Sequence, residues 1–154
     1  MLAVNEDYYN LSETQIRGHT VTAKLEAKTY PISWRLIGVY GPQSDQDKMH
    51  FLTEIKSCKQ PDPDRWLILG DFNMILSAED KNNSNINRRL MGAFRSTVEE
   101  LELKEISLTG RKFTWSNNVT HTRIKRFFCT TECELMLPNC RLYADSSLVS
   151  DHCP

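Results

Sequence analysis

The stretch Trp66-Leu67-Ile68-Leu69-Gly70-Asp71-Phe72-Asn73 decides the fold of this chain. Its first four residues are wholly apolar, and such a short run is typical of a central strand buried on both faces of a sheet. Because side chains alternate along a strand, Asp71 and Asn73 are predicted to point the same way at its carboxyl end. Functional sites often lie at that end of a strand.

Asp71 and Asn73 have two interpretations. A carboxylate beside an amide is able to orient a water molecule and to hold a phosphate oxygen. Aspartate and asparagine also favour turns, because their side chains hydrogen-bond to the nearby backbone. Position alone does not separate a site from a turn.

Two strands are predicted before this stretch. Thr20 to Ala27 alternates apolar with polar residues, which indicates a half-buried strand. Trp34 to Tyr40 is rich in strand-forming residues and ends at the turn signal Gly41-Pro42.

Two helices and two further strands complete the pattern. Ser44-Asp45 is a predicted cap for a helix whose apolar face carries Met49, Leu52 and Ile55. After the polar loop Glu79 to Asn85, a second helix is predicted from Asn87 to Leu101. It has an apolar face of four residues: Leu90, Phe94, Val98 and Leu101. Strands are predicted at Lys112 to Trp115 and at Arg123 to Phe128, so the chain is expected to form an α/β or α+β layered domain.

Other residues carry weaker signals, each with a structural alternative. Tyr40 is placed to hydrogen-bond a phosphate, or is an amphipathic edge residue. Phe113 to Asn117 suits contacts to a sugar or base, or a strand that packs its aromatic rings. Arg123, Lys125 and Arg126 suit a phosphate backbone, or a solvated strand face.

The segment Ser150-Asp151-His152 suits metal-assisted hydrolysis, because a carboxylate binds a cation and a histidine moves a proton near neutral pH. The alternative is a polar tail.

Composition narrows the class of protein. The chain has 154 residues, enough for one domain, and a net charge of -1 that lends no support to nucleic-acid binding. No apolar run approaches the roughly 18 residues of a membrane span, and the N-terminal residues predict no signal peptide. We therefore expect a nuclear or cytoplasmic location.

The cysteines are odd in number and form no Cys-X-X-Cys pair. This favours free thiols that act as small apolar side chains over a zinc site. The five are Cys58, Cys129, Cys133, Cys140 and Cys153.

Taken in order, the motifs GVYGP, GDFN, FTWSN and SDHCP resemble the endonuclease/exonuclease/phosphatase superfamily, most closely the endonucleases of plant LINE-type retrotransposons. The resemblance spans nearly the whole chain, as one partial domain over residues 1–154. It implies a two-sheet α/β sandwich with flanking helices, DNase I-like and incomplete at its N- and C-terminal strands.

The resemblance also implies a function, the nicking of DNA with Mg²⁺ or Mn²⁺ as the cofactor. DNA is the expected partner, no association with a membrane is expected, and no obligate protein partner is identifiable. Asp71 would orient the attacking water, Asn73 would hold a phosphate oxygen and Tyr40 would contact the scissile phosphate. Asp151 would support the metal and His152 would stabilise the transition-state charge. Asn117 would be a substrate contact.

The chain departs from the superfamily's pattern in three places. The metal-binding glutamate is not found, and Glu13 is rejected as its substitute because it lies too close to Tyr40 in sequence. Lys125 stands where the pattern Leu-Asp-Arg has an aspartate that orients the histidine. The chain stops at Pro154, before the strand that follows in the superfamily. These departures imply weak or absent hydrolysis, and a vestigial or purely DNA-binding domain is the alternative.

Overall fold

The structure is a computed structural model that describes residues 4–59, 65–136 and 139–143. The strands are β1 (Tyr9–Ile16), β2 (Thr20–Ala27), β3 (Ser33–Tyr40), β4 (Trp66–Asp71), β5 (Lys104–Glu105), β6 (Leu108–Thr109), β7 (Trp115–Ser116), β8 (His121–Thr122), β9 (Lys125–Cys129) and β10 (Leu142–Tyr143). The helices are α1 (Lys48–Ser57), α2 (Arg88–Glu100) and α3 (Thr131–Met136), with a 3₁₀ turn at Ala78–Asp80.

Six strands form the main sheet in the order β1-β2-β3-β4-β9-β5. Neighbours in this sheet are antiparallel except β3 and β4, which are parallel. Among the described residues, β6 with β10 and β7 with β8 form two-stranded sheets. This mixed α/β architecture agrees with the predicted class.

The apolar run Trp66 to Leu69 lies in the middle of the main sheet, as predicted. Strand β4 is hydrogen-bonded to β3 on one side and to β9 on the other. Its Trp66, Leu67 and Ile68 are buried. The predicted strand Thr20 to Ala27 is β2, with the same bounds.

Helices α1 and α2 cover one face of the main sheet. Helix α2 confirms the prediction, since Asn87 caps it by accepting a hydrogen bond from the backbone nitrogen of Leu90 at 3.2 Å. The core beneath the helices brings together Ile37, Ile68 and Phe128 of the sheet with residues of both helices. On the opposite face, Leu67 and the cysteines of β9 and α3 form a smaller cluster.

The prediction for the first helix was partly wrong. Helix α1 begins at Lys48 after Asp47, whose side chain makes no capping bond, rather than being capped by Ser44-Asp45. Met49 is 41% exposed, whereas Phe51 is fully buried. The buried face of the helix is therefore Phe51, Leu52 and Ile55, with Phe51 in place of the predicted Met49.

The bounds of the later strands also differ from expectation. Of the predicted strand Lys112 to Trp115, only Trp115 is in strand β7, and β9 begins at Lys125 rather than Arg123. Strand β1 had no sequence signal, because it is an exposed edge strand that carries a bulge between Ser12 and Gln15. A strand that buries little lacks the apolar alternation by which strands are recognised.

Most of the described cysteines are buried free thiols. Cys58, Cys129 and Cys133 are buried and Cys140 is exposed. No group of three metal-ligating side chains occurs in the described ranges, and Cys153 lies outside them. No helix within the described residues is long and apolar enough to cross a membrane.

Candidate functional site

Tyr40 and Asp71 meet at one edge of the main sheet. Strands β3 and β4 are parallel, so both end at the same edge, and Tyr40 is the register partner of Asp71. The two differ sharply in exposure: the Tyr40 side chain is 62% exposed, while Asp71 is 5% exposed. The pair therefore combines a solvent-facing phenol with a buried carboxylate.

Asn73 joins this pair through a turn. Strand β4 ends at Asp71, and Asn73 adopts the left-handed conformation with a φ of 49°. The strand alternation that was expected to align Asn73 with Asp71 therefore does not apply. Instead, the backbone nitrogen of Asn73 donates to Oδ1 of Asp71 at 2.9 Å, and its side-chain Nδ2 donates to the carbonyl of Gly41 at 2.6 Å. The turn interpretation is thus correct, and the turn also gathers the predicted site residues.

Phe72 anchors this turn in the core. It is 2% exposed and packs against the rings of Phe94 and Phe128, with centroid distances of 5.2 and 5.3 Å. Gly41 passes so close to the turn that a Cβ there would lie 2.3 Å from the carbonyl oxygen of Phe72. A glycine is required for this approach, so the ends of β3 and β4 are held together as one unit.

Lys125 extends the pair into a row across three strands. It is the antiparallel register partner of Asp71, so the side chains of Tyr40, Asp71 and Lys125 project from the same face of the sheet. We call these three residues the edge row. The edge row was not predicted from the sequence. The apolar runs of β4 and β9 indicate two strands that pair, but they do not give the register.

A buried threonine fixes the start of β9. The hydroxyl oxygen of Thr114 accepts hydrogen bonds from the backbone nitrogens of Ile124 at 3.0 Å and Lys125 at 2.9 Å. Thr114 is 4% exposed. The FTWSN segment therefore positions the backbone of Lys125, a role that its sequence did not predict.

Arg126 does not lie on a solvated strand face. It is 3% exposed, and its guanidinium pairs with Asp80 and, at 2.7 Å, with Glu105. Arg123 pairs with the same Glu105 oxygen at 2.7 Å. Asp80 also accepts backbone hydrogen bonds from Leu76 and Ser77. These ion pairs anchor the loop after β4, so Arg126 does not contact solvent-borne phosphate as its sequence position suggested.

A cleft of about 280 Å³ lies beside Asn73. Lys48 and Lys81 line it together with Asp45 and Asn87. Asp45 accepts hydrogen bonds from Lys48 at 2.7 Å and from Asn87 at 2.9 Å, and these bonds hold the pKa of the Asp45 carboxyl below its usual value. The cleft thus presents cations and amides next to the turn.

Asn117 lies in the loop between β7 and β8. Its side-chain oxygen accepts hydrogen bonds from the backbone nitrogens of Val119 at 3.0 Å and Thr120 at 2.7 Å. The side chain therefore closes the loop, and its role as a substrate contact stays a prediction.

The remaining site predictions fall outside this edge. Asp151 and His152 lie outside the described residues. Glu13, which was rejected as a metal ligand, lies in the bulge of β1 and pairs with Arg35 at 2.8 Å. The hydrogen bond from Arg35 lowers the pKa of the Glu13 carboxyl.

The described residues do not fit the expected magnesium ion. Mg²⁺ is held by carboxylate, water and phosphate oxygens in an octahedron. The edge row offers a single carboxylate, Asp71, whose Oδ1 already accepts the Asn73 hydrogen bond, and the neighbouring strand places Lys125 at the register position beside it. The positive charge that a lysine brings to this edge opposes the binding of a divalent cation.

The architecture is shared with a group of solved structures. The endonuclease domain of TRAS1, a telomere-specific non-LTR retrotransposon, superposes with a TM-score of 0.67 at 19% identity, over 88% of this chain and 58% of that one. An endonuclease/exonuclease/phosphatase protein from Bacteroides vulgatus gives 0.64 at 13% identity, over 96% and 64%. This chain has the DNase I-like fold.

That fold serves different substrates. A mannosyl-6-phosphatase from Bacteroides thetaiotaomicron gives a TM-score of 0.59 at 12% identity, over 96% of this chain and 66% of that one. The chain spans less than two thirds of the length of the retrotransposon domain. No family model and no curated protein matches the sequence. The likeness to these structures shows the fold alone and does not choose among their activities.

Proposed function

We propose that this chain is a DNA-acting phosphodiesterase domain of the endonuclease type, with impaired hydrolysis. The observation that carries the proposal is the meeting of Tyr40, Asp71 and Asn73 at one sheet edge of a DNase I-like fold. A phenol, a carboxylate and an amide at one edge suit the positioning of a phosphate group and a water molecule.

In this proposal Tyr40 contacts the phosphate and Asp71 orients the water. Asn73 holds the turn and faces the cleft. His152 and Asp151 are assigned to transition-state charge and to cation binding by resemblance alone. The retrotransposon domain named above supports DNA, rather than a sugar phosphate, as the substrate.

The impairment follows from charge. Hydrolysis needs positive charge that neutralises the charge developing on the reacting oxygens in the transition state. A bound metal provides that charge by direct coordination of these oxygens. Lys125 occupies the strand position beside Asp71 and disfavours both a divalent cation and a protonated histidine nearby. Binding of a phosphodiester survives this change better than its cleavage.

A plasmid assay tests the function. Supercoiled plasmid is incubated with the protein and millimolar Mg²⁺, beside Asp71→Ala and His152→Ala variants, and nicked circles are quantified on gels. We expect no nicking above the level of the two variants, together with DNA binding whose affinity falls as salt rises. Robust nicking that both variants abolish would contradict the impairment, and a lack of any DNA binding would contradict the assignment to DNA.

A further inference from the structure

Lys125 is the one member of the edge row that the proposed function leaves without a task. It lies directly across from Asp71 in the β4–β9 ladder, and Tyr40 lies on the far side of Asp71 in β3. Neighbouring strands are about 4.8 Å apart, so the three side chains fit within the width of one phosphodiester group and its sugars.

The backbone of Lys125 is held on both sides. Its own nitrogen and that of Ile124 are bound by the buried hydroxyl of Thr114. The next residue, Arg126, is fixed by ion pairs with Asp80 and Glu105. Lys125 is partly buried at the start of β9, so its backbone is fixed while its long side chain keeps rotational freedom.

A phosphate cannot approach Asp71 unless a cation offsets the repulsion between the two anions. In a metal site the divalent ion supplies that charge. Here Lys125 occupies the register position beside the same carboxylate, on the same face of the sheet. A lysine binds phosphate as a compact point charge on a flexible stem, which suits this position.

We infer that Lys125 is the phosphate-binding cation of the edge row, so that the site binds a DNA phosphate without a divalent metal. This inference rests on the proposed function, because it assumes that the edge row receives a phosphodiester. It goes further by naming the residue that replaces the metal's charge.

Binding to a fluorescently labelled duplex is measured by anisotropy, in EDTA and in millimolar Mg²⁺. The wild-type Kd is expected to agree in the two buffers to within about twofold. In EDTA, Lys125→Met is expected to weaken binding about tenfold and to reduce the salt slope by about one, while Lys125→Arg keeps both values.

Lys104→Met is the matched control. Lys104 lies across from Cys129, at the other end of β9, and is paired with Glu134 at 2.5 Å. The control removes the same charge at the opposite end of β9 and is expected to change the Kd by less than about twofold. Circular dichroism confirms that each variant is folded before binding is measured.

Metal binding gives a second readout. Thermal unfolding is followed with and without millimolar Mn²⁺, and the wild type is expected to show no shift. Lys125→Asp, which places a second carboxylate beside Asp71, is expected to gain a Mn²⁺-dependent rise in Tm that a further Asp71→Asn change removes.

Lys125→Met binding DNA as tightly as the wild type would overturn the inference while leaving the proposed function intact. DNA binding that requires Mg²⁺, or a Mn²⁺-dependent rise in the wild-type Tm that Asp71→Asn abolishes, would overturn the inference together with the impairment of hydrolysis, and would leave the assignment to DNA standing. No DNA binding in either buffer would overturn both.

Discussion

Asn73 holds the turn that follows β4. Its left-handed backbone, with a φ of 49°, is a conformation that asparagine tolerates better than most residues. Its amide reaches back to the carbonyl of Gly41 and so ties the end of β3 to the end of β4. A residue that was predicted for the site therefore has a structural role, because its side chain connects the ends of two strands.

Substitution at Asn73 separates these contributions. Asn73→Gly loses the hydrogen bond to Gly41 and is expected to lower the free energy of unfolding by about 1 kcal/mol. Asn73→Ala loses the same bond and strains the backbone, so it is expected to be about 1 kcal/mol less stable than Asn73→Gly. Urea unfolding, followed by tryptophan fluorescence, measures both values. Equal stability of the two variants would show that the conformation is not strained.

At the scale of elements, the loop after β4 is anchored by charge as well as by apolar contacts. The buried Arg126 of β9 pairs with Asp80 in the 3₁₀ turn and with Glu105 in β5. Three elements that are far apart in sequence thus share one guanidinium. This network sets where β9 lies against β4, and hence where Lys125 meets Asp71.

Removal of Arg126 is expected to be costly. Arg126→Met leaves the carboxylate of Asp80, whose side chain is 10% exposed, without its ion-pair partner. We expect a loss of about 3 kcal/mol or more in the free energy of unfolding, because a buried charge is left uncompensated. Arg123→Met is the matched control, because Arg123 is 20% exposed and pairs only with Glu105 among the carboxylates near it in the described residues. Its expected cost is about 1 kcal/mol, and similar costs for the two variants in urea unfolding would contradict the role given to burial.

The whole molecule carries thiols in both of its apolar clusters. Cys58 belongs to the core beneath the helices, and Cys129 and Cys133 belong to the cluster on the opposite face. Burial raises the pKa of all three thiols, and that of Cys133 to about 11. The folded chain therefore keeps protons that the unfolded chain releases above about pH 9.

This predicts a loss of stability at alkaline pH. Because the pKa of Cys133 is raised in the folded chain, its contribution to stability is fully present below the ordinary thiol pKa of 9.0 and is lost as pH rises through about 11. The loss is on the order of 2 kcal/mol. Urea unfolding at pH 8 to 11 should show a steeper fall for the wild type than for Cys133→Ala, while the exposed Cys140→Ser follows the wild type. Parallel curves for the wild type and Cys133→Ala would rule out this contribution.

Several elements were predictable because their signals are local. The run Trp66 to Leu69 lacks polar residues, so only a central strand accommodates it, and β4 is that strand. The period of the α2 face and the cap Asn87 together placed that helix to within a residue. By contrast, α1 was placed too early because Ser44 and Asp45 resemble caps, yet Asp45 binds Lys48 and Asn87 instead.

Sequence alone was enough to put Tyr40 and Asp71 at the ends of strands and Asn73 just beyond one, because an apolar run precedes them. Only the tertiary structure decided that Lys125 stands beside Asp71 and that Arg126 is buried. The reason is that strand register and burial depend on which distant segments pair. An alternation of basic and apolar residues shows that a strand has two faces, but it does not show what covers each face.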